Sequence, residues 1–283
     1  MPELIYGMAK LSKPTYGYGS QSKNFDQNKF LTFLSKNFLR FECSDRYTNS
    51  VHNISKLNNK IVHYKIDKVP INYNEIDLEE FFKKKINKAH KKLNTNRIEI
   101  LYLHENSIKI TGNKIVLKIL KKLKKKNYFK SLGAIIYTEN ELKYVLKSKI
   151  FNCIQIPVNL ADSYLYFKYM NKFNKKIIIG RSIFLQGTLI NVERRNIHYN
   201  QINSYNNKIL FICKKYKIDL NELIIRYVLS LKRLNYIILG SLNKKNIIND
   251  NKIKKTEKLN NSIMKEITKI SNTKKKWTNP QKW

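Results

Sequence analysis

The chain has 283 residues, of which 42% are hydrophobic, and it carries a formal net charge of +36. This length and apolar content suit one large α/β domain or two small ones. The charge taken alone suggests a nucleic-acid partner, but lysine is over-used in helix-like and loop-like stretches alike, which favours solvated lysine faces and no specific nucleic-acid partner.

Eight short apolar runs along the chain indicate β-strands. They are rich in Ile, Leu and Val and mostly do not alternate with polar residues, which is typical of strands buried on both faces of a parallel sheet. In chain order the runs span residues 4–9, 39–43, 60–65, 97–104, 131–136, 153–158, 176–182 and 236–240.

Longer stretches with helical spacing lie between these runs. Three of them begin after a residue type that caps helices, and two of those caps have a glutamate three positions later, as in a capping box. The caps and partners are Asp26, Thr138 with Glu141, and Asp219 with Glu222. Helical spacing also covers residues 113–126 and about 256–270.

The alternation of strand and helix predicts the architecture. About eight repeats without a Gly/Pro-rich linker favour a single-domain α/β fold, a (β/α)8 TIM barrel, over residues 1–272, followed by a tail over 273–283. The alternative is an open doubly wound sheet, which would need a glycine-rich motif after an early strand. The early candidate, Gly17-Tyr18-Gly19, lacks the third glycine.

Four polar residues lie at or just after the ends of three successive predicted strands: Glu42, Tyr47, Lys65 and His104. Catalytic groups of such barrels gather at the carboxyl ends of different strands. An acid, a phenol, an ammonium and an imidazole placed together can form a proton-transfer site. We therefore predict that these four residues form an active site.

Export and membrane insertion are not expected. No window of about 18 uninterrupted apolar residues exists, and the first ten residues lack a basic segment followed by a long apolar one. Cys43, Cys153 and Cys213 are too far apart for a zinc-ligand spacing or a disulfide framework. We expect a cytoplasmic protein with neither a membrane partner nor a metal site.

Several segments resemble the aldo/keto reductase family, most closely its short bacterial members. The most specific are FNCIQIPVNLAD and RSIFLQG, which occur in the right order and at barrel spacing. The others are LIYGMAK with PTYGYGS, FECSDRYTNS, ILYLHEN, LKKLKKKNYFKSLGAIIYT and YIILGSLNKKNIIND. The resemblance implies a (β/α)8 fold and reduction of a small-molecule carbonyl substrate by a nicotinamide cofactor, usually NADP(H), bound across the barrel mouth.

The family's catalytic set is an Asp, a Tyr five residues later, a Lys at the end of the next strand and a His at the end of the strand after. Tyr47, Lys65 and His104 fall on the last three positions, and Glu42 falls on the Asp position. Tyr47 would protonate the carbonyl oxygen, helped by the nearby charge of Lys65, which Glu42 would hold in place. His104 would donate a hydrogen bond to the carbonyl oxygen.

The resemblance also implies a cofactor site. Gln155 matches the partner of the nicotinamide carboxamide. Arg181, followed by Ser182, stands where an aromatic side chain often stacks on the nicotinamide, and its planar guanidinium could also stack there. Six residues match the loop and helix start that hold the adenosine phosphate end: Gly240, Ser241, Lys244, Lys245, Asn246 and Asp250. A lysine at 244 or 245 could meet a 2′-phosphate, which favours NADPH.

Some positions depart from the family pattern. Glu42 is one methylene longer than Asp, which moves its carboxylate by roughly 1.5 Å on a fixed backbone. Because a displacement of about 1 Å can lower a rate about 10²-fold, Glu42→Asp is expected to preserve or raise activity. Thr48 and Val51 replace the usual Gly and Glu, and Ile135 with Ile136 replaces a Ser-Asn pair that bonds the carboxamide.

Three functions are compatible with the sequence. The first is an NADP(H)-dependent reductase of a small aldehyde or ketone, which includes sugar-derived compounds. The second is a catalytically degenerate barrel that binds cofactor or a partner without turnover, and the third is a basic barrel that binds nucleic acid. In the tail, Trp277 and Trp283 would either fix the tail on the barrel or help cover its mouth.

Overall fold

Each of the eight apolar runs forms one strand of a single parallel sheet in the computed structural model. In chain order the strands are β1 (Glu3–Gly7), β2 (Arg40–Ser44), β3 (Ile61–Ile66), β4 (Ile98–Leu103), β5 (Phe129–Ile135), β6 (Phe151–Pro157), β7 (Ile177–Arg181) and β8 (Tyr236–Leu239). Neighbours in the chain are neighbours in the sheet, and β1 also pairs with β8, so the sheet closes into a barrel. This confirms the (β/α)8 prediction and excludes the open doubly wound sheet.

The structure describes residues 1–12, 25–47, 49–95, 98–104, 107–194, 196–271 and 275–279. Gly17-Tyr18-Gly19, Thr48 and Trp283 lie outside these residues. Within them the α-helices are α1 (Ala9–Ser12), α2 (Gln27–Asn37, capped by Asp26), α3 (Ser50–Ser55), α4 (Glu75–Leu93), α5 (Ile108–Thr111), α6 (Lys114–Lys125), α7 (Glu139–Lys147), α8 (Tyr164–Tyr169), α9 (Tyr199–Tyr216), α10 (Leu220–Ser230), α11 (Lys244–Ile253) and α12 (Asn261–Ser271). Among these described ranges, each helix is too short or too polar to span a bilayer.

The predicted helix starts differ in how their caps close. At α7 the capping box forms: the hydroxyl of Thr138 accepts from the Glu141 N–H, and the Glu141 carboxylate accepts from the Thr138 N–H. At α10 Asp219 caps the helix, but the Glu222 side chain pairs with Arg226 at 2.8 Å. Because Glu222 pairs with a cation one turn further along the helix, the second predicted capping box has the Asp219 cap but not the return bond from the glutamate.

The barrel interior is filled by side chains and is not an open channel. Its apolar members come from five strands and are Ile5, Ile100, Tyr102, Ile135, Cys153 and Ile179. Tyr102 fits because β5 has Gly133 beside it, and a Cβ at residue 133 would overlap the Tyr102 ring. A larger apolar layer packs the outer face of the strands against the helices. Polar groups that point inward therefore meet little water.

Candidate active site

A buried ion pair occupies the barrel interior near the carboxyl ends of β2 and β3. Glu42 is 3% exposed and Lys65 is 6% exposed, and Oε1 of Glu42 contacts Nζ of Lys65. The two strands pair in register, with Glu42 opposite His63 and Ser44 opposite Lys65. The longer acid thus still reaches the lysine that the family pattern places beside it.

The electrostatics of the pair keep Lys65 charged. Burial lowers the pKa of Lys65, but the carboxylate of Glu42 and the phenol of Tyr47 outweigh that effect, and the net pKa is raised above its usual value. The phenol of Tyr137, just after β5, acts in the same direction. The ammonium therefore persists in a low-dielectric site, where a charge acts strongly on its neighbours.

Tyr47 lies on a turn held between the end of β2 and the start of α3. Its N–H donates to the carbonyl of Ser44 at 3.2 Å, and its own carbonyl accepts from the N–H of Ser50 at 3.0 Å. The half-buried Tyr47 ring packs edge-on against His104, with ring centroids 5.9 Å apart. The phenol is thereby brought beside the imidazole and within the electrostatic reach of Lys65.

His104 follows β4 and is held at two points. Its backbone N–H donates to the carbonyl of Ile66 at 2.8 Å, and the ring nitrogen Nδ1 lies 3.1 Å from the hydroxyl oxygen of Ser44. Burial and, less strongly, the charge of Lys65 lower the pKa of His104 to about 4. The imidazole is therefore neutral at physiological pH, and one ring nitrogen can donate while the other accepts.

Gln155 enters the same interior from β6. It is 1% exposed, and Nε2 donates to Oε1 of Glu42 at 2.9 Å. Its oxygen, Oε1, and the hydroxyl of the neighbouring Tyr102 are also buried, and the Gln155 side chain lies within hydrogen-bonding reach of that hydroxyl. Gln155, which the resemblance assigned to the nicotinamide carboxamide, is thus bonded to Glu42 through Nε2 inside the barrel.

The ends of β5 and β7 are joined by Arg181. Its Nη2 donates to the carbonyl of Ile136 at 2.8 Å, its Nη1 donates to the hydroxyl of Ser182 at 3.1 Å, and its guanidinium lies over the Tyr137 ring at 4.3 Å. The side chain of Ile135 lies among the apolar residues of the interior. The planar group of Arg181 is therefore already stacked on an aromatic ring of the chain itself.

The 240–250 segment forms a loop and the start of α11. The carbonyl of Ser241 accepts from Tyr6 at 2.8 Å, and Asn243 caps α11 by accepting from the Lys245 N–H. Lys244 and Lys245 are exposed at this helix start, as is Asn246, while Gly240 packs against Gly7. Backbone N–H groups at a helix start and two ammonium groups suit a phosphate.

Asp250 differs from the other residues of that segment because it is only 4% exposed. Burial raises its pKa to about 7. Its carboxyl group therefore faces the interior side of α11 and titrates near neutral pH.

The structure brings Glu42, Tyr47, Lys65, His104 and Gln155 together at one end of the barrel. Two residues of this region carry no assignment from the sequence: Ser44, which contacts His104, and Tyr137, which contacts Arg181. Ser44 gives no sequence signal because its contact is with a residue 60 positions further along the chain. Tyr137 directly follows Ile135 and Ile136, which replace the Ser-Asn pair of the family. This position next to the cofactor-binding pair was the only sequence feature that could have indicated a role for Tyr137.

Comparisons with known proteins place the chain in a family. The model of the Aldo/keto reductase family matches residues 3–272. The fold resembles an aldo-keto reductase AKR11C1 from Bacillus halodurans in its holo form, with 14% identity, 93% of each chain covered and a TM-score of 0.72. It also resembles the glycerol dehydrogenase AKR11B4 from Gluconobacter oxydans, with 12% identity, 94% and 90% coverage and a TM-score of 0.70.

A third similar structure is a Gox0644 mutant in complex with NADPH, with 13% identity, 96% of this chain and 90% of that chain covered, and a TM-score of 0.68. No curated protein matches the sequence. The likeness to these solved structures supports the fold, and the match of the family model spans nearly the whole barrel. The chain belongs to the aldo/keto reductase family.

Proposed function

We propose that this protein is an NADP(H)-dependent reductase of a small aldehyde or ketone, with Tyr47 as the proton donor. One observation carries the proposal: the buried Glu42–Lys65 pair lies beside Tyr47, whose ring packs against the neutral His104. An acid, a cation that stabilises its conjugate base and a neutral hydrogen-bond donor are what a carbonyl oxygen requires as it gains negative charge.

The chain's own groups divide the work on the carbonyl oxygen. A bound reduced nicotinamide would supply the hydride. Oη of Tyr47 then gives its proton to the substrate oxygen, and the ammonium of Lys65 stabilises the tyrosinate that is left. A ring N–H of His104 donates to the same oxygen and orients the substrate. Glu42 keeps Lys65 charged and in place.

The residues present fit a phosphate-bearing nicotinamide cofactor. Lys244 and Lys245 at the start of α11, with Ser241 and Asn246, would hold the adenosine phosphate end, and the two ammonium groups favour NADPH. At the other end, Gln155 would border the carboxamide of the nicotinamide, which is the position that the resemblance gives it.

Arg181 and Ser182 would border the cofactor at the end of β7. The guanidinium already lies over Tyr137, so we assign it to an edge contact with the cofactor and not to stacking on the nicotinamide. Gly240, which has no side chain, would let the loop approach the phosphates. Asp250 lies on the buried face of α11 and would not itself contact the cofactor.

Turnover of a panel of aldehydes and ketones with NADPH tests the proposal. Tyr47→Phe removes only the acidic hydroxyl, and we expect it to lower kcat at least about 10²-fold, with the NADPH dissociation constant, measured by fluorescence, unchanged within about threefold. Tyr73→Phe is the matched control, because Tyr73 is 50% exposed on the loop after β3 and should retain full activity.

Undiminished reduction by the Tyr47→Phe protein would rule out Tyr47 as the acid. NADPH binding without turnover of any carbonyl compound would favour the degenerate barrel instead. NADH used as efficiently as NADPH would contradict the role of Lys244 and Lys245.

A further inference from the structure

We propose that Gln155 is a positioning residue that acts through Glu42. By bonding the longer acid from the opposite side of the barrel, Gln155 fixes the carboxylate at which Lys65 is held, and so keeps Lys65 aligned with Tyr47. The inference rests on the proposed function, and it gives Gln155 a role that is separate from contact with the cofactor.

The bond spans the barrel. Glu42 lies on β2 and Gln155 lies on β6, four strands apart in a closed sheet of eight, so the two residues face each other across the interior. Nε2 of Gln155 and Oε1 of Glu42 are 2.9 Å apart, and both side chains are almost fully buried. A hydrogen bond between a buried carboxylate and an amide is stronger than one between two neutral groups, because one partner is charged.

The chemistry fixes which end of the amide faces the acid. A carboxylate only accepts hydrogen bonds, so the amide must present Nε2. Lys65 approaches the same oxygen, Oε1, from β3. Two donors from different strands therefore hold one oxygen atom, and the loss of either would leave the carboxylate with one direction of restraint.

The length of the acid matters to this arrangement. On an unchanged backbone, an aspartate at residue 42 would withdraw its carboxylate by roughly 1.5 Å. It could then follow Lys65 or Gln155 but not hold both at bonding distance. We therefore expect Glu42→Asp to lower activity, the opposite of what the family pattern alone suggested. In this chain Glu42 and Gln155 form a matched pair.

A double-mutant cycle tests the coupling with the full-length protein. The four forms are wild type, Glu42→Asp, Gln155→Met and the double variant. We expect Gln155→Met to lower kcat about tenfold in the wild-type background and less than about twofold in the Glu42→Asp background, because the shorter acid no longer links Gln155 to Lys65 there. The melting temperature, measured without cofactor or substrate, should show the same non-additivity.

Two readouts separate positioning from a general structural effect. The KM for the carbonyl substrate should stay within about threefold while kcat falls, and the alkaline limb of the kcat profile should move to higher pH because a displaced Lys65 stabilises tyrosinate less. Asn152→Ala is the matched control: Asn152 is an amide on the same strand, but it bonds Lys124 on the helical side of the sheet. It should leave kcat within about twofold of wild type.

Additive effects of the two substitutions on melting temperature and kcat would overturn the inference. A Gln155→Met protein that loses NADPH affinity while keeping kcat would also overturn it, because Gln155 would then serve the cofactor alone. If the wild type showed no turnover, the proposed function would be wrong. The melting temperatures of the four forms would still test the coupling of Gln155 to Glu42, and additive changes would disprove it.

Discussion

The hydroxyl oxygen of Ser44 lies 3.1 Å from Nδ1 of His104. The same hydroxyl donates to the carbonyl of Lys65 at 3.2 Å and accepts from the backbone N–H of Arg46 at 3.1 Å. A hydroxyl has one hydrogen, so while it bonds the carbonyl it can only accept from Nδ1–H. When it turns to donate to Nδ1, the ring proton of the neutral imidazole lies on Nε2, where it can donate to a substrate oxygen. Ser44 therefore controls which tautomer His104 adopts.

Ser44→Ala is therefore expected to lower kcat about three- to tenfold, because the tautomer of His104 is no longer selected. Imidazole 15N chemical shifts would report the change directly as a mixture of the two neutral forms. Ser55→Ala removes a comparable hydroxyl, one that bonds a carbonyl within α3, and should leave both readouts unchanged. An unaltered His104 spectrum in Ser44→Ala would show that Ser44 does not set the tautomer.

His63 should make the protein sensitive to acid. It is fully buried, and neither ring nitrogen has a hydrogen bond within the described part of the chain. Burial, with smaller contributions from Arg40 and Lys65, lowers the pKa of His63 to about 3. Below a pH of about 6.5 the unfolded chain therefore takes up a proton that the folded protein does not, and the free energy of unfolding falls as the pH falls.

His63→Leu should remove that sensitivity. We expect the loss of unfolding free energy between pH 7 and pH 5 to be about 2 kcal/mol smaller than in the wild type. Urea unfolding at the two pH values measures it, and His52→Leu, on the exposed side of α3, is the control. If the wild type and His63→Leu lost the same free energy of unfolding between pH 7 and pH 5, His63 would not be the source of the acid sensitivity.

Asp250 should have the opposite pH dependence. Its pKa is 3.8 in a model peptide and about 7 in the folded protein because of burial. The folded protein thus binds the proton more tightly, and the free energy of unfolding falls as pH rises from about 4 to about 7. Asp250→Asn should restore on the order of 2–4 kcal/mol at pH 8 and little at pH 4. Thermal unfolding at both values checks this, with the exposed Glu80→Gln as control.

Trp277 fixes the tail to the loop after β6. It is 7% exposed and packs on Tyr205, with ring centroids 5.3 Å apart, and Tyr205 donates to the carbonyl of Leu160. The next residue, Thr278, donates to Asp162 at 3.1 Å. These contacts support the interpretation that this tryptophan fixes the tail onto the barrel.

Trp277→Ala should lower the free energy of unfolding by about 3–5 kcal/mol, because a large buried aromatic side chain is lost. Trp277→Phe keeps an aromatic ring against Tyr205 and should lower it by less. Denaturant unfolding of the two variants checks the order. If both variants unfolded like the wild type, the tail would not be packed as described.

The strands could be predicted from sequence because burial on both faces leaves long apolar runs. The predicted boundaries differ where a half-exposed or exposed residue interrupts such a run. β5 begins at Phe129 and β6 at Phe151, two residues before the predicted starts, because Lys130 and Asn152 separate these buried aromatic residues from the rest of each run.

The candidate site was predictable where a polar side chain ends an apolar run, as Lys65 and His104 do. The bond between Glu42 and Gln155 was not, because residues 113 positions apart meet only after the sheet has closed. The contact of Ser44 with His104 was hidden for the same reason. Sequence patterns identify which side chains each strand places at its end, whereas the closure of the barrel determines which of these side chains are in contact.

The close fit between Gly133 and Tyr102 constrains how this barrel can change over evolutionary time. Any side chain at residue 133 would need the space that the tyrosine ring occupies. A lineage could enlarge residue 133 only after residue 102 had become smaller, and the reverse order would pass through a poorly folded intermediate. Variation at the two sites should therefore be historically ordered, with the change on β4 coming first.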